Sequence, residues 1–376
     1  MSRAIALRRA ALRLAVREGV DINLTALDRI EGALRGPIHT AAADARTILL
    51  LGTSTPGLAN GLVSAIATQA KSLTVIEPDP GLLFSELPRL AAVNDESMTV
   101  LSADPWDLRI DPRAVDELLA TVRTTDFASY RALGKEIADR AAAAPLIADE
   151  SIDLVIVDLL GNRLTAFENA RVLAEAFRVL RKNGRLLVAC LTADEQPTSE
   201  VEIGLGSWSA VRLPLEADGA AELGSAGFHG MTYHALVDRP VRIVKGIELR
   251  AFLIDAYKGK QGICLDQGHA VIYRGPWREV LDDDDHRYPR GRRVAVCAKT
   301  HELLMRPPYR EDFISVAPYV HVPLDQAPLF DCNTPALRDP AITKGRISLV
   351  DLGSAGTAPA SCGPTPSDQH GKCCGP

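Results

Sequence analysis

Aromatic residues are scarce in this sequence, at 5% with three tryptophans, and no long apolar run interrupts it. Few aromatics argue against a base-stacking nucleic-acid platform. Basic residues are also outnumbered: 42 Lys and Arg against 48 Asp and Glu leave a net charge of −6. A mildly acidic chain is poorly suited to a phosphate backbone, which needs a basic face. The longest apolar stretches, such as Ile48 to Leu51, fall far short of the roughly 20 residues that a bilayer requires, so no membrane partner is expected. Arg3, Arg8, Arg9, Arg13 and Arg17 lie among Ala and Leu with no apolar core behind them. That pattern reads as an amphipathic helix, with an organellar transit peptide as the alternative, and not as a secretory leader. Ser/His/Asp spacing, a Walker loop and an H-E-x-x-H pattern are all missing. The seven cysteines, at 190, 264, 297, 332, 362, 373 and 374, are odd in number and irregularly spaced. They do not form a disulfide framework and point to a reducing, cytoplasmic setting, with some thiols buried and others used as soft ligands.

With 376 residues, 47% of them hydrophobic, the chain is large enough for two or three domains. Residues 1–45 read as helices ending at Gly36-Pro37. From 46 onward, short apolar runs alternate with helical stretches: Thr47 to Leu51, Leu73 to Ile76, Met98 to Leu101, Ile152 to Val157 and Arg185 to Cys190. Buried strands alternating with helices predict a parallel α/β sheet. Two helices, around 112–122 and 128–143, form an insertion at about 108–147 in a domain spanning 46–238. From 239 to 350 the helical period fades and strands dominate, predicting a smaller β-rich α+β domain. Residues 351–376 are rich in Gly, Pro and Ser and form a cysteine-bearing tail expected to be disordered alone.

The first strand closes on Gly52-Thr53-Ser54-Thr55-Pro56-Gly57, a turn in which Gly52, Thr53 and Gly57 would let backbone approach a ligand. The second strand ends in Glu77, 25 residues after Gly52. That is near the roughly 20 expected for an acid gripping a ribose diol. Asp104 follows the third strand, where an acceptor can meet an adenine amino group, and Asp158 closes the fourth. Cys190 and Cys297 read as small core residues and Cys332 as structural, while Cys264 fits either a core or a ligand role. The tail puts Cys362, His370, Cys373 and Cys374 on one segment, suited to capturing a soft metal or metalloid. The run Asp282 to His286 reads as a solvated turn, with a hard-cation site as the weaker option. His229 and His234 read as surface residues on a helix–strand connection.

The run Ala176-Phe177-Arg178-Val179-Leu180-Arg181-Lys182-Asn183-Gly184-Arg185-Leu186-Leu187-Val188 resembles the late helix–turn–strand of class I S-adenosylmethionine (SAM) dependent methyltransferases. The element order across 46–195 is similar to that family throughout. Asp149 to Ile156, Asn162-Arg163-Leu164, Leu191 to Glu195, Ala226-Gly227-Phe228, Tyr257 to Lys260, Cys264 to Gly268, Ala270 to Gly275 and Val296 to Thr300 are similar to arsenite methyltransferases, as is the Cys-Cys ending.

The resemblance implies a Rossmann-like class I methyltransferase sheet and SAM as cofactor. The implied substrate is a thiol-bound metalloid, with a thiol reductant as a second partner. It places Cys264 on an arsenic-binding position and Asp158 facing the methyl group. Two departures stand out. Leu50-Leu51 precede Gly52 where the family carries an acid, and 198–212 holds no cysteine where a second ligand is expected. Methylation of a small organic metabolite, and soft-ion binding without turnover, are the alternatives these departures leave open.

Overall fold

The computed structural model describes residues 36–53, 66, 70–84, 98–196, 203–205, 208–235, 239–334, 336–349 and 361–362. The chain divides into two compact units, one of residues 1–226 with 231–258 and the other of 227–230 with 259–376. The expected helix at 4–17 and the turn from Ser54 to Gly57 lie outside the described residues.

The first unit is an α/β sheet. Its parallel strands are β1 (Thr47–Leu51), β2 (Ser72–Ile76), β3 (Met98–Leu101), β4 (Ile152–Asp158) and β5 (Leu180–Ala193). A short pair, β6 (Ile203–Leu205) and β7 (Trp208–Ala210), lies off this sheet. β8 (His229–Ala235), β9 (Arg242–Val244) and β10 (Ile247–Tyr257) follow. The sheet order is β3-β2-β1-β4-β5-β10-β8, with β10 antiparallel to both β5 and β9. β1 and β4 are apolar on both faces, as a strand covered by helices on each side must be. Ile48, Leu50, Leu73, Val75, Leu154, Ile156 and Leu187 are fully or almost fully buried in one cluster. Burial of each contributes about 1.5–3 kcal/mol.

The expected insertion is two helices, α1 (Pro112–Thr121) and α2 (Phe127–Ala143). Each starts on an aspartate, Asp111 or Asp126, whose carboxylate accepts a first-turn N–H. After β4 comes a single turn, α3 (Leu160–Arg163), then α4 (Ala166–Val179), capped by a reciprocal Thr165–Glu168 pair. α5 (Asp218–Ser225) precedes β8.

The expected boundary at 238/239 moves to 258/259. The strands at 242–244 and 247–257 look β-rich in sequence, but β10 pairs along nine residues with β5, from Leu249 opposite Ala193 to Tyr257 opposite Arg185. Those strands therefore complete the first unit's sheet.

The second unit is built on a three-stranded antiparallel sheet. β12 (Ala270–Tyr273) lies between β15 (Arg293–Ala295) and β16 (Phe313–Val316). β11 (Gly262–Ile263) precedes this sheet, and the hairpin of β13 (Glu279–Leu281) and β14 (Arg287–Pro289) sits between β12 and β15 in sequence. α6 (Ala298–Leu304) and α7 (Pro340–Thr343) complete it. Its core is Val271, Tyr273, Tyr288, Val294, Val296, Leu304 and Phe313. The tail returns as β17 (Ser361–Cys362), antiparallel to β11, with Gly262 opposite Cys362. Among the described residues, no helix is long and apolar enough to cross a membrane.

Candidate functional site

In the first unit the sheet order reverses direction between β1 and β4. In open α/β sheets the ligand crevice lies beyond the carboxyl ends of the strands at such a reversal. Four residues predicted for a site stand at that edge: Gly52 and Thr53 after β1, Glu77 after β2, and Asp158 at the end of β4. Asp104 follows β3 by three residues. Gly52 adopts φ +87°, a conformation that favours glycine, and its N–H donates to Ile76 O at 2.8 Å. Gly57 lies outside the described residues.

Glu77 is fully buried, and its carboxylate is occupied from within the protein. Thr53 donates its N–H at 2.7 Å and its hydroxyl at 2.9 Å to Oε2. Arg163 donates from Nη1 to Oε2 at 3.1 Å and from Nη2 to Oε1 at 2.7 Å. The N–H of Asp79 reaches Oε1 at 2.9 Å. Five donors therefore meet the roughly four lone-pair sites of one carboxylate. Arg163 itself is only 10% exposed, so this is a buried, two-pronged ion pair.

Arg163 is placed by its neighbours. Leu159, although not glycine, takes φ +50° directly after Asp158 and turns the chain into α3. Asn162 then pins that turn to β5. Its Nδ2 donates to Leu191 O at 2.7 Å and to Arg212 O at 3.0 Å, and its Oδ1 accepts from Leu191 N at 2.8 Å. Asp158 is 3% exposed, whereas Asp104 is exposed. Partial desolvation and the adjacent Asp107 carboxylate hold Asp104 above the ordinary carboxylate value. The pairing of Arg163 with Glu77 is not legible in the sequence. A lone arginine five residues past a strand end carries no periodic signal, and its partner is 86 positions away.

The second unit contains the other cluster. The Sγ atoms of Cys264, Cys297 and Cys332 all lie within 4.8 Å of one another, and the three residues are 1%, 1% and 6% exposed. None of the three is joined in a disulfide. Cys297 is buried, as its core reading expected, and Cys332 packs with it and Cys264 in one buried cluster beside Phe330. The cluster supplies two companions for Cys264 within its own unit.

Backbone bonds bring the three segments together. Phe330 N–H donates to Cys264 O at 2.9 Å, and Ala298 N–H donates to Leu265 O at 2.8 Å. Cys297 caps α6: Thr300 N–H reaches its sulfur at 3.4 Å, and Thr300 Oγ1 lies 3.2 Å from it. Arg338 holds the loop after Cys264 through two bonds to Asp266, at 2.7 and 2.9 Å. A cavity of about 20 Å³ adjoins the thiols, lined by Cys297, Cys332, His286, Tyr288, Thr300 and Phe330 among others.

Thiolates bind a soft ion at metal–sulfur distances of about 2.3 Å, which sets sulfur–sulfur separations of about 3.8–4.0 Å in tetrahedral or trigonal sites. A spread within 4.8 Å reaches those values with small side-chain rotations. The arrangement therefore suits a soft Lewis acid bound by three sulfurs. Of the tail cysteines predicted to share this role, Cys362 is placed by backbone register opposite Gly262, two residues before Cys264. Cys373 and Cys374 lie outside the described residues. Cys190 behaves as expected for core, its thiol pushed up to about 12 by burial.

Two further expectations change. His229 is buried, not on the surface. Its Nδ1 lies 3.3 Å from Tyr309 Oη, and burial lowers its pKa to about 4. The Asp282–His286 run does form the hairpin turn between β13 and β14, but it is partly buried. Asp282 accepts from Tyr288 Oη at 2.9 Å, and the ring of His286 lies 2.9 Å from it.

Residues 260–348 match a family described as a domain of unknown function, DUF8838. No curated protein is similar enough to match the chain. Among solved structures, the chain is similar to CrArsM, an arsenic(III) S-adenosylmethionine methyltransferase from Chlamydomonas reinhardtii. The identity is 18% over 81% of this chain and 99% of that one, with a TM-score of 0.38. It is also similar to the 1,6-didemethyltoxoflavin-N1-methyltransferase of Burkholderia thailandensis, at 12% identity over 68% and 89% of the two chains, with a TM-score of 0.38. The N-methyltransferase NodS of Bradyrhizobium japonicum gives 12% identity, coverage of 64% and 90%, and a TM-score of 0.37. The chain folds as a Rossmann-like α/β sheet with a smaller, mainly antiparallel second unit.

Proposed function

We propose that the chain is a SAM-dependent methyltransferase whose C-terminal unit captures a soft Lewis acid, with arsenite as the leading substrate. The observation that carries this reading is the convergence of Cys264, Cys297 and Cys332 on one buried point. Three thiols displace three waters from arsenous acid to give a pyramidal As–S site that keeps its lone pair. SAM would supply the methyl group to that lone pair, an As–C bond forming as the C–S bond breaks with its electron pair left on the sulfur of S-adenosylhomocysteine. A thiol reductant then returns the methylated, pentavalent product to the trivalent state.

The carboxyl edge of the first unit's sheet supports the cofactor half of the reading. Gly52 offers a close backbone approach, Glu77 an acceptor for the ribose diol, Asp104 an acceptor for the adenine amino group, and Asp158 a carboxylate at the central strand end. SAM would supply the electrophilic methyl group there. Within the tail, Cys362, Cys373 and Cys374 would deliver the ion toward Cys264.

One observation favours a second reading, in which the chain binds a soft ion without turnover: the ribose acceptor Glu77 is already held by Arg163. Calorimetric titration of the reduced, full-length protein with SAM and with arsenite, followed by mass-spectrometric detection of S-adenosylhomocysteine, separates the two. Arsenite-dependent product formation is expected. Arsenite binding without S-adenosylhomocysteine selects the second reading. A folded, reduced protein that binds no arsenite sinks the soft-acceptor assignment in both.

A further inference from the structure

We infer that Arg163 is a latch on the cofactor site: it occupies the ribose-binding carboxylate of Glu77 and must swing away before a nucleoside can enter. The inference rests on the reading that the sheet edge binds SAM, and it assigns to Arg163 control over how tightly.

A ribose diol needs two acceptor positions on one carboxylate. Both oxygens of Glu77 already accept from Arg163, at 2.7 and 3.1 Å, and Thr53 and Asp79 fill the remaining lone pairs. The Thr53 and Asp79 backbone donors belong to the chain that shapes the strand ends and hold the carboxylate in place. Arg163 is different: it arrives from another element, on a long side chain, with charge and two-pronged geometry. It is therefore the group that a diol must replace.

The base of that side chain does not move easily. Asn162, its immediate neighbour, is fully buried and makes three side-chain hydrogen bonds to backbone groups, and the Asn162 carbonyl accepts from both Val211 and Arg212 N–H. Opening is then a rotation of the arginine side chain on a fixed turn, not a displacement of α3. A site whose competent state is only partly populated binds its ligand more weakly by the populated fraction. The apparent affinity for SAM is then reduced in proportion to the fraction of molecules in which the pair is closed.

A purely structural ion pair makes a different prediction. Removing Arg163 would then weaken or leave unchanged the binding of any nucleoside, because the carboxylate would lose the group that orients it. The test is isothermal titration of wild type, Arg163→Met, Arg163→Lys and the double variant Arg163→Met/Glu77→Gln with S-adenosylhomocysteine, using full-length reduced protein whose cooperative thermal unfolding is verified. Arg163→Lys keeps a cation beside Glu77 and guards against loss of fold in the methionine variant.

The latch predicts that Arg163→Met binds about tenfold more tightly than wild type, or more, that Arg163→Lys falls between them, and that adding Glu77→Gln abolishes the gain. Wild-type binding with equal or weaker binding in both single variants overturns the latch and leaves the cofactor assignment standing. Absence of binding in every folded variant overturns the cofactor assignment, and the latch with it.

Discussion

Cysteine 332 provides a sharp test of the thiol cluster. It lies 68 residues from Cys264 in sequence, at the Phe330-Asp331-Cys332 loop, yet its sulfur is within 4.8 Å of the other two. If the three sulfurs share one ion, removal of any of them removes a metal–sulfur bond. Structural thiolate-rich sites bind Zn(II) with about 10–16 kcal/mol, so one ligand of four is worth about 3 kcal/mol. That is about two decades in Kd. Cys332→Ala and Cys264→Ala should therefore weaken binding of a soft probe, Cd(II) or arsenite, by about a hundredfold each. Cys190→Ala, in the core of the other unit, should leave it unchanged. The stability cost of Cys332→Ala without ion is smaller, about 1 kcal/mol, because only one small sulfur atom leaves the core. The assay is competitive titration under reducing conditions, read through the ultraviolet sulfur-to-metal charge-transfer band. Wild-type affinity in folded Cys332→Ala would refute the reasoning and return these thiols to the role of packing residues.

Three other outcomes follow from the same coordinates. Burial lowers the pKa of His229 to about 4 against 6.5, so the folded state favours the neutral ring. The stability this contributes is present above pH 6.5 and falls by up to about 3 kcal/mol as pH drops from 6.5 to 4; His229→Gln should flatten that part of a pH series of urea midpoints. For His286, burial opposes protonation, but the hydrogen bond and charge of Asp282 outweigh it and raise its pKa. Its contribution is therefore full below the unfolded imidazole value and lost as pH rises through the folded one, so His286→Ala should cost more stability at pH 6 than at pH 9, by about 1 kcal/mol in paired melts. Asn162→Ala leaves Leu191 N–H, Leu191 O and Arg212 O without their side-chain partner. It should destabilise the protein by about 3 kcal/mol in chemical denaturation, and a loss below 1 kcal/mol would mean that α3 is not anchored this way.

Much of the first unit was legible because its cues are local. The run Ile152 to Asp158 is apolar on both faces and closes on an acid, which is what a central parallel strand requires. The insertion helices were legible from helical runs around 112–122 and 128–143, and the structure adds aspartate caps at 111 and 126. Glu77 at the end of β2 followed from strand spacing alone. The domain boundary did not, because β10 has the same β-rich composition whether it pairs with β5 or with strands of the second unit. Composition records a preference for extended backbone and says nothing of the neighbour. Arg163 on Glu77, and Cys297 and Cys332 beside Cys264, were illegible for a related reason. Each is a single residue with no periodic company, brought to its partner across tens of positions by sheet order and loop closure. The sequence by itself determined the short buried strands of the parallel sheet and the acids at the ends of β2 and β4. Only the tertiary structure decided which side chains meet, because proximity between distant residues is set by chain topology and by the backbone hydrogen bonds that fix it.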